Sequence, residues 1–168
     1  MQVLKQFSIP VKGMKIGHHE YSYTILDTFF KELEQSTFEG GQVSLVSKVE
    51  KKSDHVIFQL IFKGHINLDC DRCMDKIEFP IDDNYEIILK YDFEEREEED
   101  VIYIHPESSE FNISKLIYDG ILLSLPMHKT CDNVDNKECD PTVIDRLQNR
   151  PTENENTAFA EALKNLKL

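Results

Sequence analysis

His55-Val-Ile-Phe-Gln-Leu-Ile-Phe-Lys63 places Val56, Phe58, Leu60 and Phe62 on one side at a period of two, the pattern of a strand with one face in a core. Working outward, residues 42–50 put Val43, Leu45 and Val49 on one face, and Lys51-Lys52-Ser53-Asp54 reads as the hairpin turn that joins the two segments. Downstream, Ile66 and Leu68 carry the alternation to Cys70, and Ile77 and Phe79 resume it beyond Cys73. The Cys70-Asp71-Arg72-Cys73 segment is thus expected at the tip between two strands, the usual place for a zinc knuckle. Tyr85–Tyr91 reads as a further strand, with Val101–Ile104 beyond it. These elements predict an antiparallel β-sheet or small open barrel.

The flanks are mixed. Residues 2–9 read as a strand-like opening stopped by Pro10, with Gly13 and Gly17 punctuating the loop that follows. Residues 21–26 have strand composition, and Asp27 is a candidate cap for a helix through Phe29, Phe30, Leu33 and Glu34, ended by Gly40-Gly41. Later, Ile113, Leu116, Ile117, Gly120, Leu123 and Ser124 follow helical spacing, with Asn112 as candidate cap and Pro126 as terminator. This helix is expected to pack on the sheet. Pro141 opens a second helical stretch containing Val143, Ile144 and Leu147. The polar residues 149–156 read as a linker, and Phe159, Leu163 and Leu166 mark a short amphipathic helix after it. The expected class is α+β, with one domain over 1–148 and a tail over 149–168.

Length and composition bound the function. A chain of 168 residues, 40% hydrophobic, has material for one real core and no second domain. No apolar run approaches the roughly 18 residues that suggest a membrane span. Four cysteines are too sparse for a disulfide scaffold, and the amino terminus lacks the pattern of a secretory leader, so reduced thiols and a cytoplasmic location are expected.

The net charge of -13 is unevenly spread. Residues 81–140 carry 5 Lys and Arg against 17 Asp and Glu, whereas residues 1–80 carry 10 against 11. The densest part, Asp92-Phe-Glu-Glu-Arg-Glu-Glu-Glu-Asp100, lies between two strand-like segments and reads as an exposed loop. It is either a solvated run or, through Glu94, Glu95, Glu97, Glu98 and Glu99, a contact surface for a basic partner. In either case it repels a nucleic-acid backbone.

The cysteines fall into two pairs, Cys70 with Cys73 and Cys131 with Cys139. A C-x-x-C turn aims two thiolates at one ion, and a second pair arriving from elsewhere completes a tetrahedral zinc shell. Arg72 inside the first pair, with Lys76 and Lys129, would offset the charge of such a site, while Asp132, Asp135 and Glu138 would oppose it. Buried structural thiols and a redox pair are the competing readings. His128 is a weaker candidate ligand, and the remaining histidines are scattered. No G-x-S-x-G, phosphate-cradling glycine loop or H-E-x-x-H occurs, and the carboxylates sit in runs from which no catalytic pair can be picked. No enzyme activity is expected.

Taken together, Cys70-Asp71-Arg72-Cys73-Met74, Leu123-Ser124-Leu125-Pro126-Met127, Cys131, Glu138-Cys139-Asp140-Pro141 and Ala160-Glu-Ala-Leu-Lys-Asn-Leu166 resemble the YceD family, the large ribosomal RNA subunit accumulation proteins. The resemblance runs from about Val56 onward. It implies a role in large-subunit assembly and accumulation of its RNA, hence partners such as a large-subunit ribosomal protein or a pre-ribosomal particle. Many relatives carry a fuller cysteine knot after the Leu-Pro turn. This chain has only Cys131 and Cys139 there, which leaves open the arrangement in which they join Cys70 and Cys73 across the fold.

Overall fold

The computed structural model describes residues 2–33, 36–98, 100–134 and 137–149. The chain begins with α1 (Gln2–Lys5) and β1 (Ser8–Ile9), followed by β2 (Gly17–Ile25) and α2 (Asp27–Glu32). Three long strands come next, β3 (Gly40–Lys51), β4 (His55–Asp69) and β5 (Lys76–Tyr91). The short β6 (Arg96–Glu98), β7 (Val101–Ile104) and β8 (Phe111–Asn112) precede α3 (Ser114–Leu123), a 3-10 turn at Cys131–Asn133 and α4 (Pro141–Gln148). The main sheet has the order β2-β3-β4-β5-β7-β6, and β1 pairs with β8 in a separate ribbon. The α+β class and the mostly antiparallel sheet are as expected. The sheet is open, since no pairing among the described residues joins β2 to β6.

The period-two pattern has its physical outcome in register. Phe58 lies opposite Val49 on one side and Ile87 on the other, and Leu60 lies between Ser47 and Tyr85. One face of β3, β4 and β5 is therefore largely buried, broken at Gly64 of β4 and at Asp83 and Tyr85 of β5. Pro80 sits within β5 opposite His65, where β5 has no neighbour on its other side among the described residues because β7 pairs only with residues 88–91. A residue without an N–H is tolerated at such an open edge.

Helix α3 covers the buried layer through Leu116, Ile117, Gly120 and Ile121. Leu123, expected on that face, is 68% exposed; the helix turns Ile121 inward instead. The cap position falls at Ile113, one residue after the expected Asn112, and has no side-chain cap; Asn112 still accepts the Ser114 N–H at 2.9 Å, and its amide donates to the Leu4 carbonyl at 2.7 Å. At Gly120 the helix rests on Phe62, and a Cβ there would lie 2.7 Å from the ring. Gly120→Ala is therefore expected to destabilise by about 1–2 kcal/mol, overpacking outweighing the gain in helix propensity. Phe62→Leu in the same chain should recover part of the loss, as chemical denaturation of the two variants would reveal.

Three local expectations are corrected. Residues 2–9 are not one strand: a helical turn at Gln2–Lys5 precedes β1, with Leu4 packed against the core and Phe7 fully buried in it. Asp27 is inside the first turn of α2 and not its cap; its carboxylate instead accepts the Gly41 N–H at 2.8 Å, pinning the helix to β3. Val101–Ile104 is parallel to β5, not antiparallel. The chain between them reverses twice, because part of the acidic run is strand β6, antiparallel to β7. Glu34, Glu99, Asp135 and the expected tail with Phe159, Leu163 and Leu166 lie outside the described residues.

Candidate metal centre

The C-x-x-C turn is shaped by its own backbone. Strand β4 delivers Cys70, whose N–H donates to the Asp75 carbonyl and whose carbonyl accepts from the Met74 N–H, both at 2.9 Å. Met74 closes the turn with φ of 66°. The Arg72 N–H points back at the Cys70 sulfur, 3.4 Å away. This loop ties to the late segment by a clasp: the Asp71 N–H donates to the Lys129 carbonyl at 2.7 Å, the Lys129 N–H donates to the Asp71 carboxylate at 2.7 Å, and the Lys129 ammonium lies 3.3 Å from it.

The late cysteines arrive on capped turns. Thr130 and Asn133 form a reciprocal capping box around the turn that begins at Cys131. Asp140, next to Cys139, caps α4 by accepting from the Thr142 N–H at 2.8 Å, with Pro141 in the first helical position. As a result all four sulfurs lie within 4.8 Å of one another. Cys70 and Cys139 are 3.8 Å apart, and Cys73 and Cys131 are 3.6 Å apart. Four sulfurs at the usual zinc–sulfur length of about 2.3 Å would be about 3.8 Å apart in a tetrahedron, so the quartet fits such an ion.

Electrostatics point the same way. Burial pushes the Cys70 thiol up, but N–H groups of Cys73, Arg72 and Cys131 outweigh it and bring the group down to about 6. The Cys131 thiol is pushed up by burial and by the neighbouring sulfurs. Four adjacent thiols cannot all ionise unaided; a dication removes that barrier by deprotonating each ligand it binds. Arg72 Nε donates to the Cys139 sulfur at 3.1 Å, and its Nη2 reaches Asp132 at 2.6 Å.

Thus Cys70, Cys73, Cys131 and Cys139 are brought together, with Arg72 beside them. Asp132, expected to oppose the site, instead orients that arginine. Lys76 does not serve the quartet, being held by Glu39 and Asp69, and Lys129 serves it only through Asp71. His128 and Glu138 are exposed and outside the cluster. The Asp71 clasp was not anticipated, and no signal in the sequence marks it. In the acidic run, Glu94, Glu95, Glu97 and Glu98 are exposed; Glu97 pairs with Lys115 at 2.7 Å and Glu98 with Arg96 at 2.8 Å.

An open, mostly antiparallel sheet whose central hairpin tip meets a late segment at four cysteines defines a small α+β protein with one cysteine quartet. The family model of the large ribosomal RNA subunit accumulation protein YceD matches residues 58–167, and the chain belongs to this family. The matched region takes in most of β4, everything through α4, and all four cysteines. No curated protein and no solved structure matches the chain. No helix among the described residues is long and apolar enough to cross a membrane.

Proposed function

We propose that the protein is a non-enzymatic, cytoplasmic factor in large-subunit assembly. It supports accumulation of the large-subunit RNA by holding a basic ribosomal protein or a pre-ribosomal particle, and residues 1–148 act as one domain. The family supports the process. The observation that carries the mode of action is the placement of the acidic run: Glu94, Glu95, Glu97 and Glu98 stand exposed around the edge strand β6, Glu94 and Glu95 without an ion pair among the described residues and Glu97 and Glu98 in exposed pairs with Lys115 and Arg96.

The cations argue against a grip on naked RNA. Lys51 donates to the Tyr91 hydroxyl at 2.6 Å, Lys52 pairs with Glu50 at 3.7 Å and Lys63 with Asp82 at 3.5 Å. Arg72 is engaged by Asp132. Counterion release rewards free cations along a groove; these four already have partners, whereas the exposed Lys48 has no ion pair among the described residues.

The quartet is assigned zinc, held by Cys70, Cys73, Cys131 and Cys139. A bound zinc ion would supply a structural cross-link between the hairpin tip and the late segment, with Arg72 offsetting part of the thiolate charge. The same quartet also favours a second reading, a zinc-stabilised adaptor for a different basic protein. Sedimentation separates the two. At low salt the protein should travel with pre-large-subunit particles, and replacing Glu94, Glu95, Glu97, Glu98 and Glu99 by Gln should release it. Free sedimentation under every condition favours the adaptor, and binding of naked ribosomal RNA with a steep salt dependence would remove the protein-client mechanism.

A further inference from the structure

The two edges of the main sheet are built differently. The β6 edge is three residues long and fully charged, the usual guard against further pairing. The β2 edge is nine residues long, pairs with β3 in an unbroken register without a bulge, and contains no proline and one formal charge, Glu20. No backbone hydrogen bond from another segment reaches β2 among the described residues. Its inward side chains His19, Tyr21 and Tyr23 are half-buried, whereas Val49, Ser47 and Leu45, opposite them on β3, are buried. Among the described residues the strand therefore ends the sheet without a further strand beside it.

We propose that β2 pairs antiparallel with β2 of a second copy about a two-fold axis at Tyr21. That register opposes Gly17 to Ile25, His18 to Thr24, His19 to Tyr23 and Glu20 to Ser22. No like charges face each other, and His19, Tyr21 and Tyr23 make aromatic cross-strand pairs on the inward face. The self-complementary register selects a second copy, and charge placement permits it despite the net charge of -13. The acidic β6 edge lies five strand spacings from β2, roughly 24 Å. Joining two copies at β2 separates their acidic edges by about 50 Å, several screening lengths at physiological salt. It also leaves both acidic edges free.

The test uses Ser22, which is exposed on the outward face, so substitution there leaves the core intact. Sedimentation velocity of the full chain from low micromolar to near-millimolar concentration should show a monomer–dimer equilibrium. Ser22→Glu sets a carboxylate opposite Glu20 twice per dimer and should weaken association about tenfold, less at high salt. Ser22→Lys sets an ammonium there and should hold or tighten it. A wild-type chain that stays monomeric throughout overturns the proposal, as does an equal response of the two variants; circular dichroism verifies that both remain folded.

Discussion

Protein purified without an affinity tag is expected to carry close to one zinc ion per chain, and Cys70→Ser and Cys139→Ser are each expected to abolish it. The two substitutions lie on opposite sides of the knot, 69 residues apart in sequence, so joint loss would tie the distant pairs into one site. Structural zinc binding contributes on the order of 10 kcal/mol in small zinc modules, comparable to the whole stability of a typical domain. Here the damage should be greatest at the hairpin tip, because Phe58, Leu60 and Phe62 also lie opposite the buried Val49, Ser47 and Leu45 of β3. Hydrogen exchange should accelerate at 70–75 and 129–149 while β3 and β4 stay protected. Absence of metal, with both variants fully folded, would reduce the cysteines to buried packing.

Gly64→Ala should be the most damaging single methyl that can be added to the sheet. Gly64 has φ of +157°, and a Cβ there would lie 2.1 Å from the Gln42 carbonyl oxygen and 2.7 Å from the Val43 Cα. Both obstacles are backbone, so no side chain can swing away. A Cβ on Gly41 would make the reciprocal approach from β3, 2.5 Å from the His65 carbonyl oxygen, and each glycine faces a residue with a buried side chain, Gly64 opposite Val43 and Gly41 opposite Ile66. Backbone strain and the clash together are expected to cost about 3–5 kcal/mol, enough to halve a typical domain's stability or leave the protein insoluble. Gly13→Ala is the control: nothing lies within 4 Å of the added carbon, and stability should change by less than about 0.5 kcal/mol. Urea unfolding of the three proteins measures both numbers.

What could be read in advance followed periodicity. The strands around Phe58, the hairpin tip at Cys70 and the helix through Leu116 and Ile117 each bury a face that repeats in sequence. What could not be read depended on contacts between segments. Asp27 looks like a cap in isolation, and only the arrival of Gly41 turns its carboxylate elsewhere. The parallel pairing of β7 depends on a three-residue strand whose Arg96-Glu97-Glu98 composition gives no sign of β structure. Asp132 seemed out of place beside thiolates because the side chain it holds, Arg72, is 60 residues away. In the quartet, cysteine spacing revealed the donors, while the clasp between Asp71 and Lys129 has no spacing rule to betray it.

The separation of the cysteine pairs also sets an order of events during synthesis. Cys70 and Cys73 leave the ribosome on a hairpin whose strands can pair at once, but Cys131 lies 58 residues beyond Cys73. At roughly 5–20 residues per second the first pair waits on the order of several seconds for its partners. With the zinc proposed above, the tip during that interval would be a two-thiol site, able to take a metal weakly and lose it again. Commitment would come only when Cys139 emerges and α4 can form behind it, so a truncated chain would display a tip without its second pair of ligands.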